Sequence, residues 1–222
     1  SDQAKYGGVV PEIASRAHTD AIGRAVASAV AQAGVSNAQI DAVAVTYGAG
    51  LAGALLVGLS FAKSFAYSLE IPLIAVNHIR GHMAAAYLAD ASLEPPFITL
   101  LASGGHTAVL YTKSYTEFEI LGSTRDDAAG EAFDKAARVL GLPYPGGPNV
   151  EKLAREGNPV IPFPKMFKGG GYDFSYSGLK TAVINYCHTK EQKGEEYSRA
   201  DVAASFQAAA CGVLAERAVA AA

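Results

Sequence analysis

His78 and His82 stand four residues apart, directly after the apolar run Ile71 to Val76. If the chain turns helical there, both imidazoles project from one helix face and can share a metal ion. His78 would then sit at the carboxyl end of a strand, where open α/β sheets place their ligands. The same spacing also suits two packing or surface histidines, because two ligands do not complete a site. An HExxH protease pattern is absent, since Ile79 follows His78 and no general base lies between the ligands.

Three further groups carry possible chemistry. Leu101-Ala102-Ser103-Gly104-Gly105-His106-Thr107 places two glycines between strands. Such a turn lets backbone N–H groups approach an anion, or serves as a plain hairpin turn. Asp126-Asp127-Ala128-Ala129-Gly130-Glu131-Ala132-Phe133-Asp134-Lys135 is acidic. Asp126 or Asp127 can cap the helix. Asp134 is placed for a ligand hydroxyl or amine, or the whole run is a solvated face. Tyr144-Pro145-Gly146-Gly147-Pro148-Asn149, followed by Glu151, reads as a tight turn entering a helix. That suits a ribose or phosphate, or the turn is structural. Gly48 to Gly53 is glycine-rich before a helix, but matches neither a P-loop nor GxGxxG. Lys63 and Arg80 are nearby cations that suit exposed positions. No Ser or Cys has the neighbours a nucleophile needs.

The elements that must position these groups follow from pattern. Ile13, Ala17, Ala21 and Ala25 repeat at helical spacing, which predicts a helix from Pro11 to Ala33 ending at Gly34. A strand over Asp41 to Tyr47, a helix over Ala54 to Leu69, a strand over Ile71 to Asn77 and a helix over Ile79 to Leu88 follow. That alternation is the grammar of an α/β fold with parallel pairing. Glu94-Pro95-Pro96 breaks it and marks a domain boundary. Beyond it the sequence predicts strands at Phe97 to Ala102, Thr107 to Thr112 and Phe118 to Leu121. Helices follow at Ala128 to Leu140, Asn149 to Glu156, Gly178 to His188 and Arg199 to the end. The Gly/Pro/aromatic stretch Asn158 to Ser177 is long for an unstructured loop, which points to function or disorder.

Composition narrows the class. The chain has 222 residues, half of them hydrophobic, enough for one large domain or two small ones. A net charge of −3 with no Lys/Arg run argues against tight nonspecific nucleic-acid binding. Cys187 and Cys211 lie in apolar, helix-like segments and suit buried thiols in a reducing compartment. No signal-peptide pattern opens the sequence, and no uninterrupted apolar run reaches spanning length. A soluble cytoplasmic protein with no membrane partner is the expectation.

Six segments, in order, resemble one family. They are Tyr6 to Arg16, Asn77 to His82, Ser103 to Thr107, Asp126 to Lys135, Tyr144 to Pro148, and Asp173-Phe174-Ser175-Tyr176-Ser177-Gly178-Leu179-Lys180. The family is TsaD, the tRNA adenosine threonylcarbamoyltransferases once called glycoproteases. The likeness runs through essentially the whole chain. It implies an α/β fold of ASKHA (actin-like ATPase) architecture: two ribonuclease-H-like lobes, residues 1–96 and 97–222, with a nucleotide cleft between them. It implies transfer of threonylcarbamoyl from threonylcarbamoyl-adenylate to N6 of the tRNA adenosine beside the anticodon, releasing AMP. It further implies His78 and His82 as ligands of one divalent metal, iron or zinc. Leu101, Ala102, Ser103, Gly104 and Gly105 would line the phosphate and carbamoyl region. Asp134, Gly147 and Glu151 would hold the adenosine. ATP or AMP in the cleft, tRNA, and TsaB-like and TsaE-like proteins are the implied partners.

Members of the family open with a hairpin carrying a phosphate loop, and this sequence begins after it. They also carry a later Asn for the nucleotide and an Asp for the metal. The third metal ligand is therefore expected outside this sequence, and the metal is expected to be absent or weakly held. Two other readings share these residues: an O-carbamoyltransferase of the same fold acting on a small hydroxyl, and a non-catalytic TsaB-like scaffold.

Overall fold

The computed structural model describes residues 10–164 and 170–222. Tyr6 to Val9 of the expected opening segment, and residues 165–169 of the 158–177 stretch, lie outside them. The chain divides between Ser92 and Leu93 into two compact units.

In the first unit, α1 (Pro11–Ala33) starts with proline in its first turn, where the missing N–H costs nothing. It ends at Gly34, whose φ of 68° gives the left-handed cap that glycine adopts without strain. A 3-10 turn, Asn37–Gln39, leads into β1 (Val43–Gly48), α2 (Ala52–Leu69), β2 (Leu73–Asn77) and α3 (His78–Ala89). The strands pair in parallel, Val43 against Leu73 through Gly48 against Asn77. Burial in this unit is thin. Its buried hydrophobic residues among those described are Ala14, Ala62, Ala66 and Met83.

The second unit is built differently. β3 (Phe97–Ala102), β4 (Thr107–Thr112) and β5 (Phe118–Ser123) form an antiparallel meander with β4 in the middle. Four helices follow: α4 (Ala129–Val139), α5 (Gly146–Ala154), α6 (Ser177–Lys193) and α7 (Arg199–Ala221). Val109 of β4, Val150 of α5, Leu179 and Val183 of α6, and Val202 and Phe206 of α7 are fully buried in one core. Phe133 and Phe206 meet edge-to-face with ring centroids 5.0 Å apart, the arrangement aromatic quadrupoles favour. The buried threonines are satisfied, whereas the buried hydroxyl of Tyr176 has no hydrogen-bond partner among the described residues. Thr112 Oγ1 bonds Thr99 Oγ1 at 2.8 Å, and Thr107 Oγ1 accepts from Ala129 N at 2.8 Å.

One expectation gains a further fact here and another needs correction. By length and composition α2 and α7 are both apolar enough to cross a membrane. Charges such as Lys63 and Glu216 interrupt both helices, so neither holds an uninterrupted apolar run of that length. In α7 the apolar residues Val202, Ala203, Phe206, Ala210 and Val213 belong to the core of its unit. Of the two cysteines only Cys187 is buried; Cys211 is exposed.

Candidate functional site

The histidine pair is set by one cap. Asn77 ends β2, and its side chain accepts from the N–H groups of Ile79 at 2.9 Å and Arg80 at 3.3 Å. Two donors at the helix start are thereby satisfied, and α3 begins at His78. His82 lies one turn later on the same face, and the two Nε2 atoms are 3.0 Å apart. Without an ion, one ring donates to the other. Two nitrogens at that separation, each about 2.0–2.1 Å from one ion, would subtend roughly 90–100° at it. The pair therefore fits as two adjacent ligands of one metal. Sequence reading missed Asn77 as the residue that fixes this geometry. Its signal was an Asn immediately before a helix.

Within the second unit, a cavity of about 450 Å³ is lined by Ala102, Ser103, Ala129, Gly130, Phe133, Gly147, Glu151, Gln207, Cys211 and Leu214. That volume lies in the range of small-molecule sites. Four residues singled out from the sequence, Ala102, Ser103, Gly147 and Glu151, meet on its wall. Leu101, Gly104 and Gly105 are not among its lining residues; Leu101 is buried, and Gly104 and Gly105 are exposed. Asp134 does not line it. Instead Asp134 Oδ1 accepts from Gly146 N at 2.6 Å, so this carboxylate shapes the Tyr144–Gly147 turn.

Two glycines are required by close approach. A Cβ on Gly130 would come 2.7 Å from Gly104 Cα, and one on Gly146 would come 2.5 Å from Asp134 Cα. Both distances are shorter than side chains tolerate, so the glycine turn, α4 and α5 pack backbone to backbone around the cavity. Gly130 N donates to Ser103 O at 3.0 Å, which ties the turn to the start of α4.

The turn itself offers fewer donors than its sequence suggests. Ser103 Oγ accepts from His106 N at 3.0 Å and more weakly from Gly105 N at 3.4 Å. Ser103 N donates to His106 O at 2.8 Å. Among the described residues of this turn, only the N–H of Gly104 is left for a ligand.

The acidic run does not cap α4, and its carboxylates are engaged within the unit although Asp126 and Glu131 are exposed. The cap position of α4 is Ala128, with no side-chain cap, because Thr107 Oγ1 and Ser103 O already receive its first N–H groups. Asp127 and Glu131 both pair with Lys135. Asp126 reaches across the chain to accept from Ser175 Oγ and from Tyr176 N at 2.7 Å. Desolvation pushes the Asp126 carboxyl upward, but the bonds from Ser175, Tyr176 and Ser177 outweigh it and hold its pKa below the ordinary 3.8. Asp173 accepts from Ser123 N at 3.0 Å and pairs with Arg125 at 2.8 Å.

Cys211 lies on the cavity wall, where desolvation pushes its thiol above the ordinary 9.0. A neutral thiol is a poor nucleophile, which agrees with the absence of a nucleophile pattern in the sequence.

One unit with parallel strands and a histidine pair, and another whose glycine turn and helices line a cavity, make this an α/β chain. The profile of TsaD, tRNA N6-adenosine threonylcarbamoyltransferase, matches residues 1–222, and the chain belongs to that family. Three relatives bear the same name. The one from Moorella thermoacetica is 61% identical over 212 residues, covering 95% of this chain and 62% of the relative. Clostridium perfringens strain SM101 has one 58% identical over 217 residues, covering 97% and 64%. Another, from Clostridium botulinum strain 657, is 54% identical over 221 residues, covering 99% and 65%. The chain thus spans a little under two thirds of the length of these curated relatives.

Proposed function

We propose that the protein of which this chain is part transfers threonylcarbamoyl from threonylcarbamoyl-adenylate to N6 of the tRNA adenosine beside the anticodon, giving threonylcarbamoyladenosine and AMP. The observation that carries this reading is the meeting of Ala102, Ser103, Gly147 and Glu151 on one cavity of about 450 Å³. That volume suits an adenine nucleotide better than a lone amino acid. Family membership supplies the reaction.

In this reading the cavity holds the adenylate. Gly104 N–H faces the phosphate or carbamoyl oxygens, and Glu151 and Gly147 border the ribose. Asp134 acts by holding the Tyr144–Gly147 turn in place. His78 and His82 would hold iron or zinc, and that ion would supply Lewis acidity. The amine N6 attacks the carbamoyl carbon, a C–N bond forms, the C–O bond to phosphate breaks, and N6 gives up a proton. Because the mixed anhydride is already activated, this chain's residues need only bind, orient and stabilise charge. The architecture would be two ribonuclease-H-like lobes of ASKHA type, residues 1–96 and 97–222. The partners would be TsaB-like and TsaE-like proteins, acting in the cytoplasm.

The test is incorporation of labelled threonine into tRNA by the full-length protein with threonine, bicarbonate, ATP and its partner proteins. Transfer to tRNA is expected. Carbamoylation of a small hydroxyl compound in its place would favour the O-carbamoyltransferase reading, and no transfer at all would favour a scaffold.

A further inference from the structure

One wall of the cavity was not singled out by any sequence motif. Gln207, Cys211 and Leu214 recur on α7 at helical spacing and line the cavity together. The polar groups elsewhere on the wall are engaged. Ser103 Oγ is spent on its own turn, and Glu151 is paired with Arg155 at 2.6 Å. The carboxamide of half-buried Gln207 has no hydrogen-bond partner among the described residues. A polar group held unpaired at the edge of an apolar pocket is a candidate for bonding a ligand.

We propose that Gln207 is a specificity-determining residue that reads the base edge of the bound nucleotide and selects adenine over guanine. This rests on the nucleotide reading above. A carboxamide presents an N–H donor beside a C=O acceptor. At its N7 edge adenine presents the complementary pair, the N7 acceptor beside the N6 amino donor. Guanine presents two acceptors, N7 and O6, at the corresponding edge. Phe133 and Leu214 supply apolar surface for the base faces. The neutral thiol of Cys211 adds no charge next to the ring.

The experiment measures binding of AMP and GMP by calorimetry to the full-length protein, wild type and Gln207→Leu. Alkylation of Cys211 by iodoacetamide at about pH 9 is followed in parallel, since the thiolate is the reactive form. Wild type is expected to favour AMP over GMP by roughly 10–100-fold, the range of one bidentate pair. Gln207→Leu should bring the two affinities together with circular dichroism and melting temperature unchanged, and AMP should slow alkylation of wild-type Cys211. A variant that keeps the wild-type AMP preference overturns the role of Gln207 and leaves the nucleotide reading standing. AMP binding without protection of Cys211 also overturns it, because the base then lies elsewhere. No binding of AMP to wild type removes both readings together.

Discussion

The two units treat similar sequence in opposite ways. Both are rich in Ala and branched aliphatics, yet residues 93–222 bury a connected core from Val109 to Val213. In residues 9–92, Leu56 is 64% exposed, Tyr67 87% and Leu88 90%. The topology explains the contrast. A three-stranded antiparallel sheet backed by four helices buries one connected core, although Ile120, Val160 and Val219 stay exposed outside it. Two parallel strands with their helices leave much apolar surface outside, whereas parallel sheets are normally covered on both faces. Chemistry follows the same division. The cavity of the second unit is bounded by backbones locked together, while the histidine pair of the first depends on a single cap.

The sharpest way to break that comparison is truncation in each unit. Phe206→Ala removes a fully buried ring and should lower unfolding stability by about 3–5 kcal/mol in a denaturant titration. Tyr67→Ala should change it by no more than about 0.5 kcal/mol. Equal losses would mean that the two units do not differ in packing. Gly146→Ala forces a methyl against the backbone at Asp134, and a cost of about 1–3 kcal/mol is expected. Weakened AMP binding should accompany it, and unchanged affinity would detach the turn from the site.

Asn77→Ala should cost about 1 kcal/mol as a lost helix cap. It should also weaken metal binding measured by calorimetry with Zn²⁺, although neither histidine is altered; intact affinity would show that His78 and His82 hold their places without the cap. The mildest test uses acid. Because the native Asp126 pKa lies below 3.8, the unfolded chain binds the proton first. Its contribution is full above the unfolded value and is lost as pH falls through the native one. Asp126→Asn should therefore flatten that part of the stability profile below about pH 4. A profile identical to wild type would show that the bonds to residues 175–177 contribute nothing.

Much of the fold could be read in advance where punctuation was strong. Pro95-Pro96 and Ser103-Gly104-Gly105 bracket β3 and β4, and both strands fall at the expected residues. Pro11 and Gly34 bracket α1 equally well. Misreadings arose where one residue type serves two purposes. The stretch Gly146-Gly147-Pro148 reads as a turn, yet α5 begins at Gly146, because the first turn of a helix tolerates proline. The partners of Asp126 and Asp173 lie some fifty positions away, and no local pattern reveals such pairings. Gln207, Cys211 and Leu214 were hidden because α7 is apolar around most of its circumference, so spacing alone does not say which face meets a cavity.

The close packing at Gly130 has a thermodynamic consequence. With Ser103 O already bonded to Gly130 N and no room for a side chain between the two backbones, the cavity rim is ordered before any ligand arrives. Ligand capture then needs no loop to freeze, and the entropy that ordering normally costs is absent from the binding free energy. The site behaves as a preformed mould, and its selectivity resides in the few side chains that face inward.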